Sequence, residues 1–317
     1  MTEPAPLIET QAAPVPAQGA AEWFAGARGA RLRAALFHPP GTPRGSVVVS
    51  PGRTEPIEKY FEVTGELLAR GFVVLVHDWR GQGLSHRLLA DRRLGHATGY
   101  ADFLADYRVL LDVFARRLPK PWIALGHSMG GCLTLLALAE GEARFSGAML
   151  SAPMLGLRTG AVPRPVARSL AAILPGLGQG GAAIAGRETS PAQVAFESNI
   201  LTHDRARYQR NEAQVAACPD LALGGPTWGW LNFAFSAIGV LERGEGTARI
   251  IIPLTVVAAG DDRLVDNAGL RRITARVRGA RYVEIAGAYH EILQETDARR
   301  AVFWREFDDL SGRLGPT

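Results

Sequence analysis

Short apolar runs recur along both ends of the chain, separated by longer amphipathic stretches, which is the spacing of strands alternating with helices. The runs predict strands at Ala21–Ala25, Arg31–Phe37, Ser46–Ser50, Val73–His77, Trp122–Leu125, Ala148–Ser151, Leu254–Ala258 and Arg281–Ile285. The expected fold class is α/β, with an eight-stranded, mostly parallel sheet flanked by helices. Between Pro153 and Ala248 the strand rhythm stops and helical patterns broken by Gly and Pro replace it, among them Pro165 to Leu174 and Trp228 to Leu241. This predicts a helical cap at 153–248, inserted after the sixth strand, with 21–152 and 249–314 as the core. Residues 1–20 are rich in Pro, Ala and Gln and mildly acidic, and they read as a disordered tail.

The apolar run Trp122 to Leu125 leads into Gly126-His127-Ser128-Met129-Gly130, and an apolar helical stretch from Gly131 follows. A G-x-S-x-G segment between a strand and a helix is a tight, strained turn that lifts the serine hydroxyl above the sheet, with glycines where a side chain would clash. The free N–H groups and positive dipole end of the new helix face the point where an oxyanion would form. Ser128 is therefore the candidate nucleophile of an acyl-transfer reaction.

Partners of such a serine follow it in the chain, first an acid and then a histidine. Of seven histidines, His38, His77, His86 and His96 precede Ser128 and His127 adjoins it, which leaves His203 and His290. His290 follows the strand-like Tyr282 to Ile285 and a glycine-containing loop, whereas His203 lies in a polar, Arg-rich segment, so His290 is the candidate base. The strand ending at Ala259 runs into Gly260-Asp261-Asp262-Arg263-Leu264-Val265-Asp266. Asp262 is the chosen acid and Asp261 the runner-up, while Asp266 reads as the cap of a following helix. The loop Pro51 to Pro56 follows the strand ending at Ser50. Because proline has no N–H, the oxyanion donors are expected to be the backbone N–H groups of Arg53 and Met129.

Several stretches together resemble one family. They are Ser50 to Glu55 with Lys59-Tyr60, Asp78-Trp79-Arg80-Gly81-Gln82-Gly83-Leu84-Ser85, the turn at Ser128, and Gly287 to Leu293. The chain resembles the α/β-hydrolases of the lysophospholipase and monoacylglycerol lipase group, also grouped with serine aminopeptidases, over most of its length. Pro51-Gly52, where monoacylglycerol lipases usually show His-Gly, brings it nearer the bacterial lysophospholipases, as do Leu201 to Asp204 and Gly224 to Thr227. The resemblance implies an α/β-hydrolase fold and the same assignment of Ser128, Asp262 and His290. It also implies a fatty-acyl ester substrate, with lysophospholipid first, monoacylglycerol or a general carboxylic ester next, and peptidase or thioesterase chemistry or a non-catalytic scaffold as the alternatives of other kinds.

Cap residues Trp228, Trp230 and Phe233 are candidates to line an acyl pocket, set against the plainer reading that they form the cap's own core. Asp78 and Arg80 are expected to brace loops. The formal charge of +4 comes almost wholly from arginine, since lysine occurs only at Lys59 and Lys120. No basic stripe with interleaved aromatics points to nucleic acid, and no metal or other cofactor is expected. No apolar run is long enough to span a bilayer. Pro165 to Ile184 is the candidate peripheral membrane contact, for a chain expected in the cytoplasm or at the inner face of the membrane. Cys132 and Cys218 are expected to be reduced.

Overall fold

The computed structural model describes residues 2–184 and 194–314. Its sheet has nine strands, β1 (Glu3–Ala5), β2 (Gly19–Ala25), β3 (Arg31–Phe37), β4 (Gly45–Ser50), β5 (Phe72–His77), β6 (Trp122–His127), β7 (Gly147–Ser151), β8 (Leu254–Ala259) and β9 (Arg281–Ile285). They lie in the order β1-β2-β3-β5-β4-β6-β7-β8-β9, parallel from β5 onward and antiparallel before it. The helices are α1 (Phe61–Ala69), α2 (Tyr100–Phe114), α3 (Ser128–Ala139), α4 (Arg164–Ile173), α5 (Arg205–Ala217), α6 (Trp228–Arg243), α7 (Asn267–Thr274) and α8 (Asp297–Gly312). Among the described residues no helix is long and apolar enough to cross a membrane.

The central strands are apolar at successive positions because both faces of the sheet are covered. Side chains alternate between faces along a strand. Val47, Val49, Val74, Val76, Ile123 and Leu125 point to one side, where α1 and α8 bring Val63, Leu67, Phe303 and Phe307. Val48, Val73, Leu75 and Ala124 point to the other, under α2, α3, α6 and α7. Each such Val, Leu, Ile or Phe side chain contributes about 1.5–3 kcal/mol when fully buried, so the stack fixes strand register and with it the loops at the strand ends.

The structure departs from the sequence-based expectation in two places. Residues 3–5, expected within a disordered tail, pair antiparallel with β2 and give the sheet its ninth strand, with Glu3 opposite Trp23 and Ala5 opposite Ala21. The following segment is tied down too, since Ile8 donates its N–H to Glu58 and Pro6 accepts from the buried Arg33 guanidinium. The other departure concerns α6. Its apolar face, Trp230, Phe233, Ala234, Ala237, Ile238 and Leu241, joins the main core against α2 and α3, although it lies within the segment expected to form a cap. Residues 185–193 of that segment lie outside the described residues.

Helix α4 packs differently. Ala167 and Ala171 meet Phe235 in a small satellite cluster, while Val162, Val166, Leu170, Ile173 and Leu177 are exposed, Ile173 to 57% and Leu177 to 68%.

Candidate active site

Strand β6 ends at His127 and α3 begins at Ser128 with no loop between them. The chain can reverse so sharply only because Ser128 takes a left-handed backbone, φ +50°, which is uncommon for a residue with a side chain and persists only where the surroundings over-determine it. The glycines supply that room. A Cβ on Gly130 would stand 2.0 Å from the Ser50 carbonyl oxygen, and one on Gly126 would stand 2.7 Å from Gly131 Cα. The turn also sets Met129 at the start of α3, where backbone N–H groups have no helical partner.

The structure brings three predicted residues together. His290 Nε2 lies 2.9 Å from Ser128 Oγ, and His290 Nδ1 lies 2.7 Å from Asp262 Oδ2. The other Asp262 oxygen accepts the N–H groups of Leu264 and Val265, each at 2.8 Å, so the turn after β8 holds the carboxylate in place. Burial disfavours charge on Asp262, but the neighbouring His290 and these backbone donors outweigh it and hold its pKa below the ordinary value. Burial likewise works against a charged His290 ring, yet the Asp262 charge and hydrogen bond prevail and raise its pKa. Asp261 is exposed, with its backbone N–H bonded to the Ala288 carbonyl. Asp266 accepts from Ala268 and Gly269 N–H and caps α7, as expected.

The loop after β4 runs beside the serine. A side chain on Gly52 would stand 3.1 Å from Ser128 Cβ and 3.0 Å from His127 Cδ2, so glycine is required for the close approach. The loop is held by several contacts: Trp79 Nε1 donates to the Pro51 carbonyl, Gln82 Nε2 to the Gly52 carbonyl, and Arg53 Nη1 to the Gly224 carbonyl. Thr54, the residue after Arg53, has φ +68°. Asp78 accepts from Ile57 N–H, Leu84 N–H and Arg33 Nε, and Arg80 pairs with Asp106, which gives both the bracing role expected of them.

Beneath this loop lies a group of buried ions to which sequence reasoning assigned no role. Lys59 Nζ is 3.1 Å from Glu55 Oε1 and 2.5 Å from Glu291 Oε1. Glu55 Oε2 accepts the Gly52 N–H and the Tyr60 hydroxyl, both at 2.6 Å. Burial disfavours the Lys59 charge, but Glu291 and Glu55 more than restore it and its pKa is raised. His127 packs its ring 4.9 Å from that of His290 and contacts the Ser151 carbonyl through Nδ1 at 3.0 Å. Burial pushes its pKa down to about 4, so it is neutral at neutral pH and its 3.7 Å approach to Glu55 is not an ion pair.

Of the pocket candidates, Phe233 lies in the main core against Phe103, with ring centroids 4.9 Å apart. Trp230 is nearer the site, its ring 5.4 Å from the Arg53 guanidinium carbon, and Trp228 packs with the satellite cluster under α4. His203 pairs with Glu295 at 2.7 Å and stacks on Tyr289, where it steadies the loop around His290. The segment from 199 to 224 covers that loop: the Leu201 carbonyl accepts the Glu291 N–H, and Thr202 Oγ1 donates to the Gln294 carbonyl.

The sequence profile of the family described as serine aminopeptidase, S33, matches residues 41–297. Lysophospholipase L2 of Escherichia coli (strain K12) is 36% identical over 280 residues, which span 84% of this chain and 80% of that protein. Monoacylglycerol lipase of Mycolicibacterium smegmatis is 27% identical over 282 residues, spanning 87% and 91%. Among solved structures, a soluble variant of monoglyceride lipase from Saccharomyces cerevisiae, in complex with a substrate analog, superposes with a TM-score of 0.73 over 99% of this chain and 100% of that one. Its sequence identity is 19%, so the likeness is one of fold.

Proposed function

We propose that this chain, which belongs to the serine aminopeptidase S33 family and has an α/β-hydrolase fold related to lysophospholipases and monoacylglycerol lipases, cleaves the acyl ester of a lysophospholipid through Ser128, His290 and Asp262. One observation carries the reading. Hydrogen-bond contacts of 2.9 and 2.7 Å run from the Ser128 hydroxyl through His290 to Asp262, and they start from a serine on a strained turn at the head of a helix.

In the acylation step Ser128 Oγ attacks the ester carbonyl carbon while His290 Nε2 takes the hydroxyl proton. Asp262 steadies the imidazolium so formed and keeps Nδ1 protonated. The carbonyl oxygen becomes an oxyanion, and the backbone N–H groups of Met129 and Arg53 donate to it. When the tetrahedral species collapses, the carbon–oxygen bond to the leaving alcohol breaks and His290 returns the proton to that oxygen. Water, activated by the same histidine, then attacks the acyl-enzyme and releases the fatty acid.

The exposed apolar stripe on α4 and the turns flanking it supports a peripheral site of action. Val162, Val166, Leu170, Ile173 and Leu177 face solvent, and no Asp or Glu occurs from residue 143 to residue 187, a stretch holding Arg144, Arg158, Arg164, Arg168 and Arg187. Apolar residues beside arginines suit the surface of an anionic bilayer, with Arg144 and Arg164 also paired within the protein to Glu142 and Glu242. That is where a single-chain amphiphile resides.

The test is product identification from a mixture of lysophosphatidylethanolamine, lysophosphatidylglycerol and monoacylglycerol, with Ser128→Ala as the control. Free fatty acid is expected first from the lysophospholipids, and none from the variant. Faster release from monoacylglycerol would move the assignment to that substrate. Equal release by Ser128→Ala would end the mechanism.

A further inference from the structure

Lys59 is one of only two lysines in the chain, and it is buried between two carboxylates that belong to different loops of the candidate site. Glu55 closes the loop that carries Gly52 and Arg53, and its second oxygen holds that loop directly through the Gly52 N–H. Glu291 is the residue after His290. The Nζ contacts of 3.1 and 2.5 Å therefore span from the loop of the oxyanion donor to the loop of the base.

This arrangement is costly for fold stability alone. Three charged groups have been taken out of water, and buried ion clusters commonly contribute little more than well-packed apolar residues would. What an ionic strut gives that apolar packing does not is direction, since an ammonium between two oxygens fixes their separation. The loop it steadies is also strained. Thr54 holds φ +68° next to Arg53, and such a conformation persists only under constraint from its surroundings. Further anchors fix the strut itself: Gln294 Nε2 donates to the Lys59 carbonyl, Gln214 Nε2 to the Glu58 carbonyl, and the Tyr60 hydroxyl to Glu55.

We propose that Lys59 is a positioning residue, which clamps Glu55 to Glu291 so that the Arg53 N–H and the His290 ring meet the same substrate carbonyl in register. The inference rests on the hydrolytic reading above. In this arrangement the Lys59 ammonium bonds the two carboxylates and not Ser128 or His290. It acts on the transition state, where donor and base must both be in place, more than on the ground-state complex.

The experiment compares wild type, Ser128→Ala and Lys59→Met as full-length chains, each shown to be folded by near-UV circular dichroism. The first readout is the rate of labelling by a fluorophosphonate, which needs the activated serine but no particular leaving group. Wild type is expected to label and Ser128→Ala not to. Lys59→Met is expected to label about 100-fold more slowly, the loss that accompanies a misplacement of the order of 1 Å. The second readout is hydrolysis of 4-nitrophenyl butyrate, with kcat expected to fall in parallel and KM to stay within about threefold, as for an interaction realised in the transition state. If Lys59→Met does not fold, Glu291→Leu, which cuts the strut on the base side, is measured against the same expectation.

Folded Lys59→Met, or Glu291→Leu in its place, that labels within threefold of the wild-type rate overturns the strut and leaves the serine chemistry standing. A loss confined to KM overturns it as well. A wild-type chain that fails to label removes the hydrolytic reading and the strut together.

Discussion

Asp261 and Asp262 are adjacent carboxylates with opposite surroundings. Asp262 is buried with three donors around it, and Asp261 faces solvent. Asp262→Asn is expected to lower kcat by about 10⁴-fold, the scale seen when the acid of such a triad is neutralised, while Asp261→Asn stays within about threefold of wild type. Steady-state hydrolysis of a soluble ester checks both, and the reverse ranking would transfer the role. The pH profile follows from His290. It accepts a proton only when neutral, and its pKa is held above the ordinary value of about 6.5. Activity should accordingly rise with pH through that raised pKa and level off above it. Removing the Asp262 charge should move the rise to lower pH. The strand-turn-helix setting pointed to Ser128, and chain order left two histidines, of which a strand and a glycine-containing loop ahead of His290 favoured that one. Chain order could not separate two neighbouring aspartates, since which one turns inward depends on the turn after β8. Nor could it find the ionic strut, since Glu55, Lys59 and Glu291 stood in separate motifs and nothing in their spacing shows that the fold buries them together.

Helix α3 and strand β4 meet at a contact with no spare volume. A Cβ on Gly130 would press on two backbone oxygens, Ser50 at 2.0 Å and Pro51 at 2.4 Å, so relief requires the helix and the strand to part. Gly130→Ala should cost at least about 1–3 kcal/mol and lower the melting temperature by several degrees in a thermal scan. Gly65→Ala is the counterpart, on the exposed face of α1 with nothing within 4 Å of the added carbon. It should stabilise by about 0.4–1 kcal/mol through the unfolded chain, and a decrease in melting temperature there would contradict the packing described. Strand positions were legible to within one or two residues, because an apolar run covered on both faces has few other uses. The role of α6 was not. Helical spacing at Trp230, Phe233, Ala237 and Leu241 reveals that one face is buried, but not whether it lies against a cap or against α2 and α3.

Over the whole molecule, charge and apolar surface are distributed unevenly. The α4 stripe lies within 45 consecutive residues lacking a carboxylate, positions 143 to 187, in a chain of net charge +4. Flotation with vesicles of phosphatidylglycerol and phosphatidylcholine should carry the protein upward at low salt and progressively less as salt screens the attraction. The triple variant Val166→Ser, Ile173→Ser, Leu177→Ser should stay at the bottom while it hydrolyses a soluble ester normally, whereas unchanged flotation would locate the contact elsewhere. Least legible was the N-terminal segment, where Pro4 and the shortness of β1 hide a strand from any test of periodicity. Its three residues nonetheless occupy one border of a nine-stranded sheet, alongside the seven of β2. At the opposite border, β9 carries Arg281 and Glu284, whose pairs with Glu306 and Arg271 make that side unattractive to another strand. The β2 side has Ala20, Trp23 and Phe24 and few such charges. A chain shortened by residues 2–16 should keep its catalytic turn but present β2 as an open template. The resulting growth of oligomers, followed by light scattering against the full chain, would show that the first strand serves as a guard against self-association.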